Sequence, residues 1–186
     1  MSPKKRQNNR KIIGYSLAGV GILFLIVCGA MAVYAPKIYS YLRSRSPVSI
    51  GSRAPDFELT ALTGESVRLS QYRGRPMLLS FGATWCPDCA RADPLLQETF
   101  DHQTGLVVLL VDSGETTATI QKWADETGYT FPVLIDSNNA AGKQYAITAI
   151  PTVFFIDEDG VIRAKLIETV TAELLEGNLP LIGIEP

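Results

Sequence analysis

From Ile12 to Pro36 the chain runs for 25 residues without a charge, mostly through Ile, Leu, Val, Ala, Gly and Phe. A hydrocarbon core of about 30 Å needs roughly 20 helical residues, so Ile12 to Ala35 is long enough to span a bilayer. Five basic residues (Lys4, Lys5, Arg6, Arg10, Lys11) precede this run and three (Lys37, Arg43, Arg45) follow it. That excess of positive charge predicts a cytoplasmic N-terminus and places residues 37–186 outside. The expected organisation is a basic N-terminus at 1–11, a transmembrane anchor at 12–35, a linker at 36–49 and a domain at 50–186.

Two processing alternatives stay open. Ala30-Met31-Ala32 has the small-residue pattern of a cleavage site, although the apolar run exceeds the roughly 7–15 residues of a secretory signal. Cys28 follows Leu25-Ile26-Val27 in the manner of a lipoprotein attachment site, with a bulky Val27 where a small residue is usual. Each alternative delivers the same domain to the outer side. Residues 37–50 have no apolar period, contain Ser, Arg and Pro, and read as a tether.

The charge divides at the same place. Residues 1–50 carry eight bases and no acid, whereas the remainder carries nine bases and all 19 acids, so +8 meets −10. An acidic domain repels phosphate backbones and is a poor partner for nucleic acid. Hydrophobic residues at 46% and charged ones at 19% exclude a disordered chain. Three cysteines are too few for a disulfide scaffold.

Within the domain, short apolar runs at Met77–Phe81, Leu106–Val111, Pro132–Ile135, Thr152–Ile156 and Val161–Leu166 predict strands. Several are continuous, as in strands covered on both faces. Helices are expected from Cys86 to about Phe100, from Thr116 to Thr127 with Gly128 as its C-cap, and over Thr171–Leu181. Asp157-Glu158-Asp159-Gly160 reads as a hairpin turn between the last two strands. This alternation predicts a three-layer α/β domain with a mixed sheet between helices.

Trp85-Cys86-Pro87-Asp88-Cys89 falls between the first of those strands and the first helix. A thiolate at a helix N-terminus faces unpaired N–H groups and the positive end of the dipole, which lower its pKa. Cys86, the more N-terminal and expected to be the more exposed, is the expected attacking thiol, and Cys89, facing inward on the next turn, the one that resolves a mixed disulfide. Pro87 suits a helix start, where its missing N–H costs nothing. A zinc site would need two further ligands, and only Cys28 and His102 remain, so no metal is expected. An inert structural bridge is the alternative, but so small a loop contributes little stability.

These residues resemble the thioredoxin superfamily, and more closely the membrane-anchored, extracytoplasmic TlpA/ResA-type thiol–disulfide oxidoreductases related to the AhpC/TSA redoxins. The landmarks are Gly51, Ala54-Pro55-Asp56-Phe57, Leu69-Ser70, Tyr72-Arg73-Gly74, Phe81 through Cys89, Pro94 and Ala149-Ile150-Pro151-Thr152, spread over roughly residues 50–183. The resemblance implies a thioredoxin-like fold and a cis Pro151 beside the disulfide. It further implies a substrate surface formed by Trp85, Pro87, Ile150 and Pro151. It implies no bound cofactor beyond the Cys86–Cys89 pair, protein dithiol or disulfide substrates such as apocytochrome c, and a membrane thiol electron donor.

The sequence departs from that pattern in several places. The buried aspartate of typical thioredoxins falls on Ser80, and the acid of ResA-like members falls on Ala92, with Asp93 beside it. Asp93 and Asp88 are therefore the candidates for redox tuning. Asp93 reads equally as a solvated carboxylate, and Asp88 should oppose a Cys86 thiolate unless it turns towards the helix N-terminus. Gly82 stands where an aromatic is common and should leave the nearby surface open. Trp85 is either a platform for substrate or a lid on the sulfurs, and His102 a surface residue. A peroxiredoxin-like thiol peroxidase and a non-catalytic docking domain are the rival readings.

Overall fold

The computed structural model of the chain describes residues 28–32, 34–35 and 48–185. The chain forms two units, Met1–Ser46 and Pro47–Pro186. In the first, residues 28–32 and 34–35 are helical and Cys28 is a free, exposed thiol. The expected N-terminus at 1–11, residues 12–27 and 33 of the expected anchor and residues 36–47 of the linker lie outside the described residues. Among the described residues no helix is long and apolar enough to cross a membrane.

The second unit is built on a seven-stranded mixed sheet. Its strands are β1 (Glu58–Ala61), β2 (Ser66–Arg68), β3 (Met77–Gly82), β4 (Val107–Ser113), β5 (Val133–Asp136), β6 (Thr152–Ile156) and β7 (Ile162–Ile167), in the spatial order β2-β1-β5-β4-β3-β6-β7. Parallel pairing joins β3 to β4 and β4 to β5, and the remaining pairs are antiparallel. The helices are α1 (Cys89–His102), α2 (Thr117–Thr127), α3 (Ala140–Gln144) and α4 (Ala172–Asn178).

Strand position follows sequence pattern. All six residues of β3 and all five of β6 are buried, because both strands are covered on two faces. At the rim, β2 and the start of β7 alternate between buried and exposed residues, as one-sided strands do. The pleat sorts the core into two clusters. Leu79, Phe81, Leu109, Val111, Phe154 and Ile156 point to the face where Tyr145, at the end of α3, packs. Leu78, Val108, Leu110, Val153 and Phe155 point to the face covered by Leu96 of α1, Ile120 of α2 and Leu175 of α4. Ser80 and Asp112 continue the second set by the same alternation.

The ends of the elements have local causes. Thr116 caps α2 by accepting the N–H of Thr119, and Gly128 closes that helix in the left-handed region at φ 70°. Asp157 accepts from the N–H of Val161 at 2.8 Å and fixes the expected β6–β7 turn. Four expectations need correction. Helix α1 begins at Cys89 rather than Cys86, because residues 83–88 form turns, with Cys86 N–H donating to Ala83 O at 3.1 Å. The last helix stops at Asn178 and gives way to a 3-10 turn at Leu179–Ile182, since Pro180 has no N–H to donate to the carbonyl of Glu176 and continue the α ladder. The expected strand at Leu106–Val111 runs instead from Val107 to Ser113. Strands β1 and β2 and helix α3, each of three to five residues, were not expected.

Candidate active site

Cys86 and Cys89 are joined as a disulfide with Cα atoms 5.2 Å apart. The pair lies where β3 leaves the sheet, packed against Ala83 and Ile150. The backbone N–H of Cys89 donates to Cys86 Sγ at 3.1 Å. A donor aimed at that sulfur favours its anionic form once the bridge is reduced. Ala90 N–H donates to Cys86 O at 3.1 Å, so one helical turn encloses both cysteines even though α1 proper begins at the second.

The positional contrast between the two sulfurs is smaller than the sequence suggests: Cys86 is 4% exposed and Cys89 1%. Cys86 is not an exposed tip, because the loop and Ile150 cover it. Cys86 Sγ lies 3.8 Å from the carbonyl oxygen of Ile150, and the Ile150–Pro151 peptide is cis, as the resemblance implies. Trp85 is 69% exposed, which fits a contact platform and not a lid. Pro87 is exposed in the turn between the cysteines, not at the first helical position.

Asp88 points away from the role expected of it. It forms an ion pair with Arg91 one turn along α1 and makes no cap hydrogen bond. Its charge is thus offset before it reaches Cys86, and Arg91 was not singled out in the sequence. Asp93 is only 4% exposed, which excludes the solvated-carboxylate reading. Desolvation raises its pKa from the ordinary 3.8 to about 7. Gly82 is buried rather than part of an open surface: a Cβ there would sit 3.5 Å from Cys89 Sγ and 3.4 Å from Leu110 Cδ1. A methyl would fit there in ordinary contact, whereas the aromatic ring common at this place would collide with Cys89 and Leu110. Ser80 is buried beneath the same face.

Sequence reasoning missed a second buried acid. Asp112 on β4 is 2% exposed and pairs in register with Gly82. Burial first, and then the charge of Glu115, raise its pKa to about 8. The signal was present: Asp112 follows Val108 and Leu110 at intervals of two, which places it on the α1 face. Glu115 in turn accepts two hydrogen bonds from Thr84. His102 is exposed at the end of α1, with Nδ1 2.9 Å from Glu98 O. Among the described residues no group of three or more His, Cys, Asp or Glu side chains could hold a metal ion.

Residues 50–165 match the AhpC/TSA family. The thiol–disulfide oxidoreductase ResA of Geobacillus kaustophilus is 36% identical over 152 residues, covering 80% of this chain and 87% of that protein. The exposed lipoprotein thioredoxin of Streptococcus pneumoniae has the same fold at a TM-score of 0.62, with 28% identity over 68% of this chain and 98% of the other. StoA of Bacillus subtilis superposes with a TM-score of 0.58 and 27% identity, over 65% and 93% of the respective chains. A cysteine pair at disulfide distance, set at a strand-to-helix turn of a thioredoxin-like sheet, agrees with these likenesses: the chain belongs to the AhpC/TSA family, among its ResA-like thiol–disulfide oxidoreductases.

Proposed function

We infer that this protein is a membrane-tethered protein disulfide reductase that works outside the cytoplasm through Cys86 and Cys89 alone, with no bound cofactor. The observation that carries the reading is the sulfur geometry: Cys86 Sγ receives the N–H of Cys89 and lies against Ile150 O at the Ile150–Pro151 corner. In the reduced state the Cys86 thiolate attacks one sulfur of a substrate disulfide and the other leaves as a thiolate. Cys89 loses its proton and attacks Cys86 Sγ, which releases the second substrate thiolate and re-forms the bridge. Two electrons pass from enzyme to substrate. A thiol donor at the membrane restores the dithiol.

In this reading Trp85, Pro87, Ile150 and Pro151 form the surface on which the substrate chain lies. The carboxyl of Asp93, one turn from Cys89 in α1, tunes proton loss from that thiol, and the Asp88–Arg91 pair limits the charge felt by Cys86. Proteins with paired cysteines outside the cytoplasm, apocytochrome c among them, are the proposed substrates. Residues 1–11 would remain cytoplasmic and 12–35 cross the bilayer, with 36–49 as linker and 50–186 as the catalytic domain, as the five-to-three basic asymmetry supports.

The test joins topology to turnover. A periplasm-dependent reporter fused after Pro186 is expected to be active only outside the cytoplasm, and cytoplasmic activity would overturn the placement. The purified full chain, supplied with a dithiol, is expected to reduce insulin disulfides. Peroxide consumption in place of insulin reduction would favour the thiol peroxidase.

A further inference from the structure

Three residues, Ala83, Thr84 and Trp85, connect the end of β3 to Cys86 and so decide where that sulfur points. The middle one is held from outside its own loop. Thr84 donates its backbone N–H to Glu115 Oε2 at 2.6 Å and its hydroxyl to Glu115 Oε1 at 2.8 Å. Both oxygens of one carboxylate are spent on one residue 31 positions away, and charge-assisted bonds of this kind are the stronger class. Glu115 is itself anchored. Its carbonyl accepts the hydroxyl of Ser137 at 2.8 Å, and the N–H of neighbouring Gly114 donates to Asp136 O at 3.0 Å. The cysteine loop is thereby tied to the loops that follow β4 and β5.

Behind this contact lies Asp112. Glu115 faces it from the loop after its own strand, and Asp93 faces it from α1. Cys89 approaches across Gly82, and Tyr129, before β5, faces Asp93 in turn. We propose that Glu115 is a positioning residue of the redox site: its carboxylate clamps Thr84 and so fixes Cys86 for exchange, with the buried Asp112 behind it. The proposal rests on the thiol–disulfide exchange reading of the cysteine pair.

A second carboxylate so close to the clamp is tolerated only while it holds its proton, and the reason is repulsion. Two ionised carboxylates side by side in a buried place cannot both be accommodated, and the more exposed one moves towards water. Glu115 is half-buried and Asp112 fully buried, so Glu115 would move and release Thr84. Asp112 keeps its proton up to about pH 8. The clamp is therefore closed at neutral pH and opens in mildly alkaline solution.

The experiment follows the rate of exchange between the reduced full chain and insulin disulfides from pH 6 to 10, corrected for the thiolate fraction measured by alkylation. Glu115→Ala, which removes both bonds, is expected to slow exchange about tenfold at pH 7, and Thr84→Val, which removes only the hydroxyl bond, about threefold, effects within the range that a small misplacement of a reacting group produces. The double variant should be no slower than Glu115→Ala, because Glu115→Ala already removes the bond that Thr84→Val breaks. Thr84→Ser, which keeps the hydroxyl, should recover most of the loss. The wild-type corrected rate should fall above about pH 8, and Asp112→Asn should remove that fall. Wild-type rates in the single variants, effects that multiply in the double variant, or an unchanged alkaline fall in Asp112→Asn would overturn the clamp. Absence of exchange in the wild type itself would instead overturn the reading of the cysteine pair.

Discussion

Cys86→Ser is expected to abolish disulfide exchange, lowering turnover by at least about 10³-fold, if Cys86 is the nucleophile of a covalent mechanism. Cys89→Ser has a different outcome: it leaves the first attack intact and removes the group that clears the intermediate. Mixed disulfides between Cys86 and substrate proteins should then accumulate and be visible on non-reducing gels, whereas Cys86→Ser should accumulate few or none. The asymmetry does not depend on exposure, since both residues are buried. It depends on the N–H of Cys89, which points at Cys86 Sγ and stabilises that thiolate. Equal trapping by both single-cysteine variants would contradict these roles.

Asp93→Asn is expected to stabilise the domain at pH 8 by several kcal/mol and to leave it nearly unchanged at pH 3. The folded protein keeps the Asp93 proton up to about pH 7, whereas the unfolded chain releases it near the ordinary 3.8. Between those values unfolding releases a proton, so stability falls as the pH rises from about 4 to about 7 and then levels off. A shift of about three pH units corresponds to a loss on the order of 4 kcal/mol. Asparagine cannot ionise and does not suffer that loss. Asp112 adds a similar decline that continues to about pH 8. Urea denaturation of wild type and Asp93→Asn at pH 4, 6 and 8 checks this: the curves should diverge with rising pH, and parallel curves would contradict a buried, proton-holding Asp93.

The parts of this structure that were legible in the sequence are those whose signal is local. Strands β3, β4 and β6 announce themselves because continuous apolar runs have no other use in a covered sheet. The cysteine pair was legible from spacing and from its place after such a run. Strands β1 and β2 were not, because Glu58–Ala61 and Ser66–Arg68 are too short for a period and are fixed by pairing with each other and with β5. The start of α1 was misplaced by three residues, because Pro87 fits a helix opening and an isolated turn equally well.

Charge was harder to read than fold. Asp88 and Arg91 lie three apart on α1 and form a pair that spacing alone could suggest. The burial of Asp93 depends on what covers its face of the helix, which is tertiary. Asp112 could be placed by strand alternation, but the bonds between Thr84, after β3, and Glu115, after β4, form only once the two strands lie side by side. What escapes the sequence is thus burial and the contact between Thr84 and Glu115, 31 residues apart, whereas the Asp88–Arg91 pair is local.

The reduction potential of the Cys86–Cys89 couple, measured by equilibration of the full chain against glutathione and dithiothreitol buffers, tests the central claim most directly. A protein disulfide reductase should equilibrate freely, with a potential between about −200 and −300 mV, the range of thioredoxin- and glutaredoxin-like reductants. A potential below about −300 mV without turnover would mark the pair as an inert structural bridge. One near −120 mV would make the protein an oxidant and contradict the reductase reading.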